Sequence, residues 1–169
     1  MTITEEVTLI GIGVTFLVGI INLIITKVTA NKTLYINTIT RLRSEWLYKM
    51  KDYFAQYLSA IESHKNRSYE NQDNLLNNLY SSYIIIKLNL NSLDTFDREL
   101  IDIMENINND IKRDFTVELT EETKEKVQLL ITKIQCMTKI EWEGIKLESK
   151  KGNLKDNNKK ELRKKYLQE

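Results

Sequence analysis

Residues able to carry reaction chemistry are few and scattered in this chain. The single histidine, His64, lies in a polar run without neighbours that could complete a metal cluster or an acid–base pair. The single cysteine, Cys136, falls at an inward or near-inward position of a helical pattern, where it reads as a small core residue rather than a nucleophile. There is no glycine-rich phosphate loop. The carboxylates recur at the spacing of solvated helix faces. Neither an enzyme nor a bound cofactor or metal is expected. A different chemistry is carried near the N-terminus. Thr8, Gly11, Thr15, Gly19, Asn22, Thr26 and Thr29 are separated by 3, 4, 4, 3, 4 and 3 residues. A repeat of about 3.5 lines all of them along one helix face. In an apolar setting an amide can replace part of an ion's hydration shell. Small side chains let helix backbones approach, as in Gly11-x-x-x-Thr15-x-x-x-Gly19.

The element that positions this stripe is a membrane helix. From Val7 to Thr26 run twenty residues without a charge, enough at 1.5 Å per residue for about 30 Å, the hydrocarbon thickness of a bilayer. The run is too long and apolar for the core helix of a soluble domain. A signal peptide needs a basic flank before it and a small-residue cleavage site after it. Here Glu5 and Glu6 precede the segment and Lys27, Lys32, Arg41 and Arg43 follow it. The positive-inside rule then places the N-terminus outside and the remainder in the cytosol, in a bacterial-type inner membrane. Asn22 lies within the span, where an unpartnered amide is costly. Self-association resolves this, with the stripe facing either a packed seam between helices or a narrow wet pore. The two look alike in sequence. Thr and Gly are also common in membrane helices generally.

The remaining chain reads as all-α. Proline is absent and glycine occurs five times, which favours long helices. The abundant asparagine makes helix stability depend on packing. Charge is segregated: residues 1–26 carry −2, 27–51 carry +5, 52–148 carry −7 and 149–169 carry +5. No turn signal separates Lys27 from Ser63, so the membrane helix is expected to continue as one helix of about 80 Å. Its apolar stripe is Ile36, Ile39, Leu42, Trp46, Met50, Tyr53, Tyr57 and Ile61. His64–Ser68 reads as a loop. A second helix follows from about Tyr69 to Leu90, with Leu75, Leu76, Leu79, Tyr83 and Ile86 inward. A third runs from a cap at Asp94 or Thr95 to about Phe115, with Phe96, Leu100, Ile103, Met104 and Ile107 inward. Thr120 caps a fourth that runs to about Lys150, with Val127, Leu130, Ile131, Ile134, Met137 and Trp142 inward. Gly152 ends it. The organisation is a tip and membrane helix (1–26), a cytosolic helical bundle (27–151) and a basic, mobile tail (152–169).

Two basic features stand apart. Arg41 and Arg43, beside Trp46, either hold topology or form a surface for an anion or partner. The tail Lys159-Lys160-Glu161-Leu162-Arg163-Lys164-Lys165-Tyr166 is either a solvated terminus or a contact for anionic lipid or nucleic acid.

Three segments together resemble a group of short bacterial membrane proteins with one N-terminal helix. They are Asn37-Thr38-Ile39-Thr40-Arg41-Leu42-Arg43-Ser44-Glu45-Trp46, the break Leu88-Asn89-Leu90-Asn91-Ser92, and Glu141-Trp142-Glu143. Ser92 stands where the group usually has proline. The resemblance covers most of residues 7–146. Members look like effectors of anti-phage defence, among them the membrane effector of the Hailong type. The resemblance implies an oligomeric pore-forming channel, restrained by a nucleotidyltransferase-like partner or nucleotide signal and released on infection. A membrane-anchored adaptor that recruits a cytosolic partner without conducting ions is the alternative. A holin-like lysis factor is disfavoured by the large part outside the membrane.

Overall fold

A computed structural model describes residues 3–63, 72–113, 118–154 and 156–167. The expected loop His64–Ser68, the start of the second helix at Tyr69 and the end of the third at Phe115 fall outside these residues. The chain is all-α, with an N-terminal long apolar helix and a helical bundle. Helix α1 (Ile3–Tyr35) passes through a π-helical turn (Ile36–Thr40) into α2 (Arg41–Ser63) without a break. α3 (Gln72–Asn89), α4 (Thr95–Arg113), α5 (Glu121–Lys151) and α6 (Asp156–Leu167) follow. The expected continuous helix is present and spans about 90 Å.

α2, α3, α4 and α5 close a four-helix ring in which each packs on its neighbours. The pairings are antiparallel. Glu99 meets Lys133 and Asp110 meets Thr123 between α4 and α5, while Arg43 meets Glu148 between α2 and α5. The core is one cluster built on Met50, Phe54, Tyr57, Leu79, Ile86, Leu100, Met104, Ile107 and Leu130. Tyr57 is fully buried, and its hydroxyl reaches Asn108 Oδ1 at 2.9 Å and the Met104 carbonyl at 3.1 Å. Burial pushes its phenol pKa far above the usual value.

Local chemistry sets the helix ends. Asp94 Oδ1 accepts from the amides of Phe96 and Asp97, which makes Asp94 the cap of α4. Thr120 Oγ1 accepts from the Thr123 amide at 3.2 Å and starts α5. Gly152 ends α5 at φ 80° and ψ −148°, a conformation open essentially to glycine.

Three expectations need correction. The apolar spacing puts Ile39 and Leu42 on the packed face of the long helix, yet both are exposed. The inward face at this level is Thr40, Arg43 and Leu47. The π turn inserts a residue into the helix and rotates its register by roughly 100°, which displaces Ile39. Arg43 takes the inward position beside Leu42 because two carboxylates await it. Trp142 also faces outward and stacks under Lys146, whose ammonium lies 5.4 Å from the ring centre. Beyond Gly152 the chain is not a loose tail over 156–167. It forms α6, which folds back along α5, with Arg163 on Asp94 at 2.5 Å.

Candidate functional site

The polar stripe lies on α1 as the spacing requires. Thr8, Gly11, Thr15, Gly19, Asn22 and Thr26 line one shallow groove along the helix, flanked by Ile12, Phe16, Ile20 and Leu23. Every side chain described from Gly11 to Leu34 is exposed. The best window of this helix has a mean hydropathy of 2.0, long and apolar enough to cross a membrane. Gly11, Gly13 and Gly19 have open space where a Cβ would stand, so nothing among the described residues accounts for their small size. Thr15 Oγ1 donates to the Gly11 carbonyl at 2.9 Å, which satisfies its hydroxyl within the helix. Ile12, Phe16 and Leu23 leave 65%, 69% and 72% of their surface uncovered. Such a surface demands lipid or another helix.

Past the apolar stretch, α1 is tied to the C-terminal end of α5. A side chain built on Gly152 would meet the stem of Lys32 at 3.7 Å. Tyr35 donates to Asn153 Oδ1 at 3.3 Å. Just beyond the π turn, Arg43 grips Glu148 through Nη1 and Glu141 through Nη2, the latter at 2.5 Å. Glu148 is 1% exposed. Burial opposes the charge of Arg43, but the two carboxylates outweigh it and hold the guanidinium pKa above its usual value. Burial and the nearby Glu148 charge raise the pKa of Tyr35. Glu148 Oε2 and the hydroxyl of Thr40, the last residue of the π turn, are buried without a hydrogen-bond partner among the described residues. The π turn is thus flanked by a charged tie and lined by an unsatisfied hydroxyl, and π turns concentrate at functional sites.

Arg41, Arg43 and Trp46 do not converge on one surface. Arg41 is exposed and lies 3.6 Å from Glu45 one turn along the helix. Arg43 turns inward. Trp46 packs against the core. The Arg43 tie itself was missed in the sequence. Its signal is that Glu141 and Glu148 stand a heptad apart, in step with inward Leu130, Met137 and Gly144, while Arg43 stands in step with Met50 and Tyr57. An outward reading of all charged residues hides it. Among the described residues, no His, Cys, Asp and Glu group could hold a metal ion.

The fold and the stripe define a class: an all-α chain whose long N-terminal helix can cross a membrane and runs directly into a helical bundle. Comparison with family models, curated proteins and solved structures finds no match to this chain.

Proposed function

We propose that this protein is an oligomeric membrane effector whose α1 helices assemble around the Thr8–Thr26 stripe into a gated pore that depolarises the cell. The observation that carries the reading is the uncovered groove of small and polar residues on an otherwise apolar helix. A lone helix bathed in lipid has no use for it, whereas copies of α1 can bring it together around a shared axis. Asn22 then presents an amide toward that axis, where it can replace part of an ion's hydration shell.

The gating reading rests on the continuity of α1 with α2. A movement of the bundle reaches the stripe through one helix, across the π turn and the Arg43 tie. Acids before the span and bases after it support an external N-terminus and a cytosolic bundle in a bacterial inner membrane. The resemblance to Hailong-type effectors supports a role in abortive anti-phage defence, with a nucleotidyltransferase-like sensor or nucleotide signal as the restraint.

The adaptor reading draws on the groove beside Tyr48, Ile134, Thr138 and Trp142 on the outer face of the bundle. Ion flux separates the two. Full-length protein reconstituted in vesicles should release a trapped potassium gradient, and Asn22→Leu should block release while keeping the protein inserted. Vesicles that stay tight around inserted wild-type protein leave the anchor reading.

A further inference from the structure

We infer that the C-terminal end of α5, with Lys150 and Lys151, docks on the headgroups of anionic phospholipids beside Lys32 of α1. The inference rests on the reading that α1 spans the bilayer. Lys32 lies six residues beyond Thr26, about 9 Å along the helix axis. The headgroup layer is roughly 5–8 Å thick on each side of the hydrocarbon. The nearness of Gly152 to the Lys32 stem therefore brings the end of α5 to the outer edge of the headgroup layer, within reach of a lysine side chain. The Tyr35–Asn153 hydrogen bond fixes the same placement from the next turn of α1.

The exposed charges described at this level are basic. Lys27, Lys32, Lys150 and Lys151 are all exposed. No acid occurs from Lys27 to Ser44 or from Ser149 to Leu154. Glu148, the nearest acid of α5, is turned inward onto Arg43. α5 has 31 residues against 18 in α3 and 19 in α4. With Lys133 opposite Glu99 near the start of α4, the last turns of α5 extend past the α3–α4 turn, toward the membrane end of the bundle. α6 leads away from this level: Arg163 is engaged by Asp94 at the α3–α4 turn. The part of the chain suited to lipid is thus the tip of α5 rather than Arg163 in the basic tail. Ammonium groups near a bilayer surface attract anionic headgroups as point charges and lose that attraction in high salt.

The test uses full-length protein in phosphatidylcholine vesicles carrying trace spin-labelled lipid. Electron spin resonance reads the fraction of lipid slowed by contact with the protein. Spin-labelled phosphatidylcholine reports spanning itself, and spin-labelled phosphatidylglycerol reports selection for negative charge. Lys27 at the membrane edge contributes some selection in any case, so the informative variant is Lys150→Gln with Lys151→Gln. Wild type should favour phosphatidylglycerol, and the variant should lose about threefold to tenfold of that preference. Slowing of phosphatidylcholine should not change. A variant that keeps the full wild-type preference overturns the docking of α5. A wild type that slows neither lipid overturns the spanning reading and this inference with it.

Discussion

Replacing Arg43 with methionine removes the cation that pairs with Glu148. Glu148 is 1% exposed, and among the described residues its Oε2 has no hydrogen-bond partner. Breaking a fully buried ion pair costs about 3–5 kcal/mol, because the remaining charge has neither water nor a counterion. Arg43 keeps 31% of its side-chain surface and Glu141 keeps 25%, so solvent screens part of this, and we expect about 2–3 kcal/mol. For a bundle of this size that corresponds to roughly 6–12 °C in Tm. The assay is thermal unfolding of full-length protein in detergent, followed by circular dichroism. Arg41→Met is the control, since its pair with Glu45 lies at 3.6 Å with both side chains more than half exposed, and it should cost no more than about 0.5 kcal/mol. The double variant Arg43→Met, Glu148→Met should recover most of the loss, because an apolar pair of similar volume replaces a buried ion pair at little cost. Equal melting of Arg43→Met and Arg41→Met would refute the tie between the π turn and α5.

Other consequences follow from the same structure. Gly152→Ala should destabilise by about 1–3 kcal/mol, since φ 80° with ψ −148° is strained for any side chain, and denaturant midpoints read this directly. Tyr57→Phe should cost about 1–3 kcal/mol by leaving buried Asn108 Oδ1 without its donor; an unchanged midpoint counts against that hydrogen bond. The bond from Lys126 lowers the pKa of Asp110, against the opposing effect of burial, and the bond from Thr123 adds to the lowering. A depressed carboxylate contributes stability above its unfolded pKa and loses it as the pH falls through the folded value. The Asp110→Asn variant should therefore melt below wild type at neutral pH, and the gap should close as the pH falls below the usual carboxylate range. Gly19→Leu should weaken crosslinking between copies in membranes while Ile20→Leu on the neighbouring face leaves it intact, and equal crosslinking rules out the stripe as the interface.

The helices were legible because their signals are local. Apolar periodicity, a cap at Asp94 or Thr95, the Thr120 cap and the Gly152 stop each act within a turn or two, and the structure holds the Asp94 and Thr120 caps and the Gly152 stop. The continuity of α1 with α2 followed from the absence of any breaker between Lys27 and Ser63. What was not legible depends on long-range partners. No local pattern announces the π turn, and it displaced Ile39 from the expected face. Arg43 took the inward position beside Leu42 because Glu141 and Glu148, about a hundred residues away in sequence, supply its counter-charge. Trp142 reads as core by type, but the inward positions at its level go to Glu141, Gly144 and Ile145, which leaves the indole outside under Lys146. Residues 156–167 look like a solvated basic tail by composition. They become a helix because Leu154 is buried and Asp94 offers a partner for Arg163. The stripe was legible as a spacing pattern, and its members from Thr8 to Thr26 line one groove on α1.

The central claim is that α1 conducts ions once copies assemble around the stripe. It is tested most directly by a potential-sensitive dye in bacteria expressing this protein alone, wild type beside Asn22→Leu, with membrane insertion verified for both. The account predicts rapid loss of membrane potential with the wild type, and full potential with Asn22→Leu at equal protein level. Intact potential in cells whose membranes hold the wild-type protein, free of any partner, would contradict it.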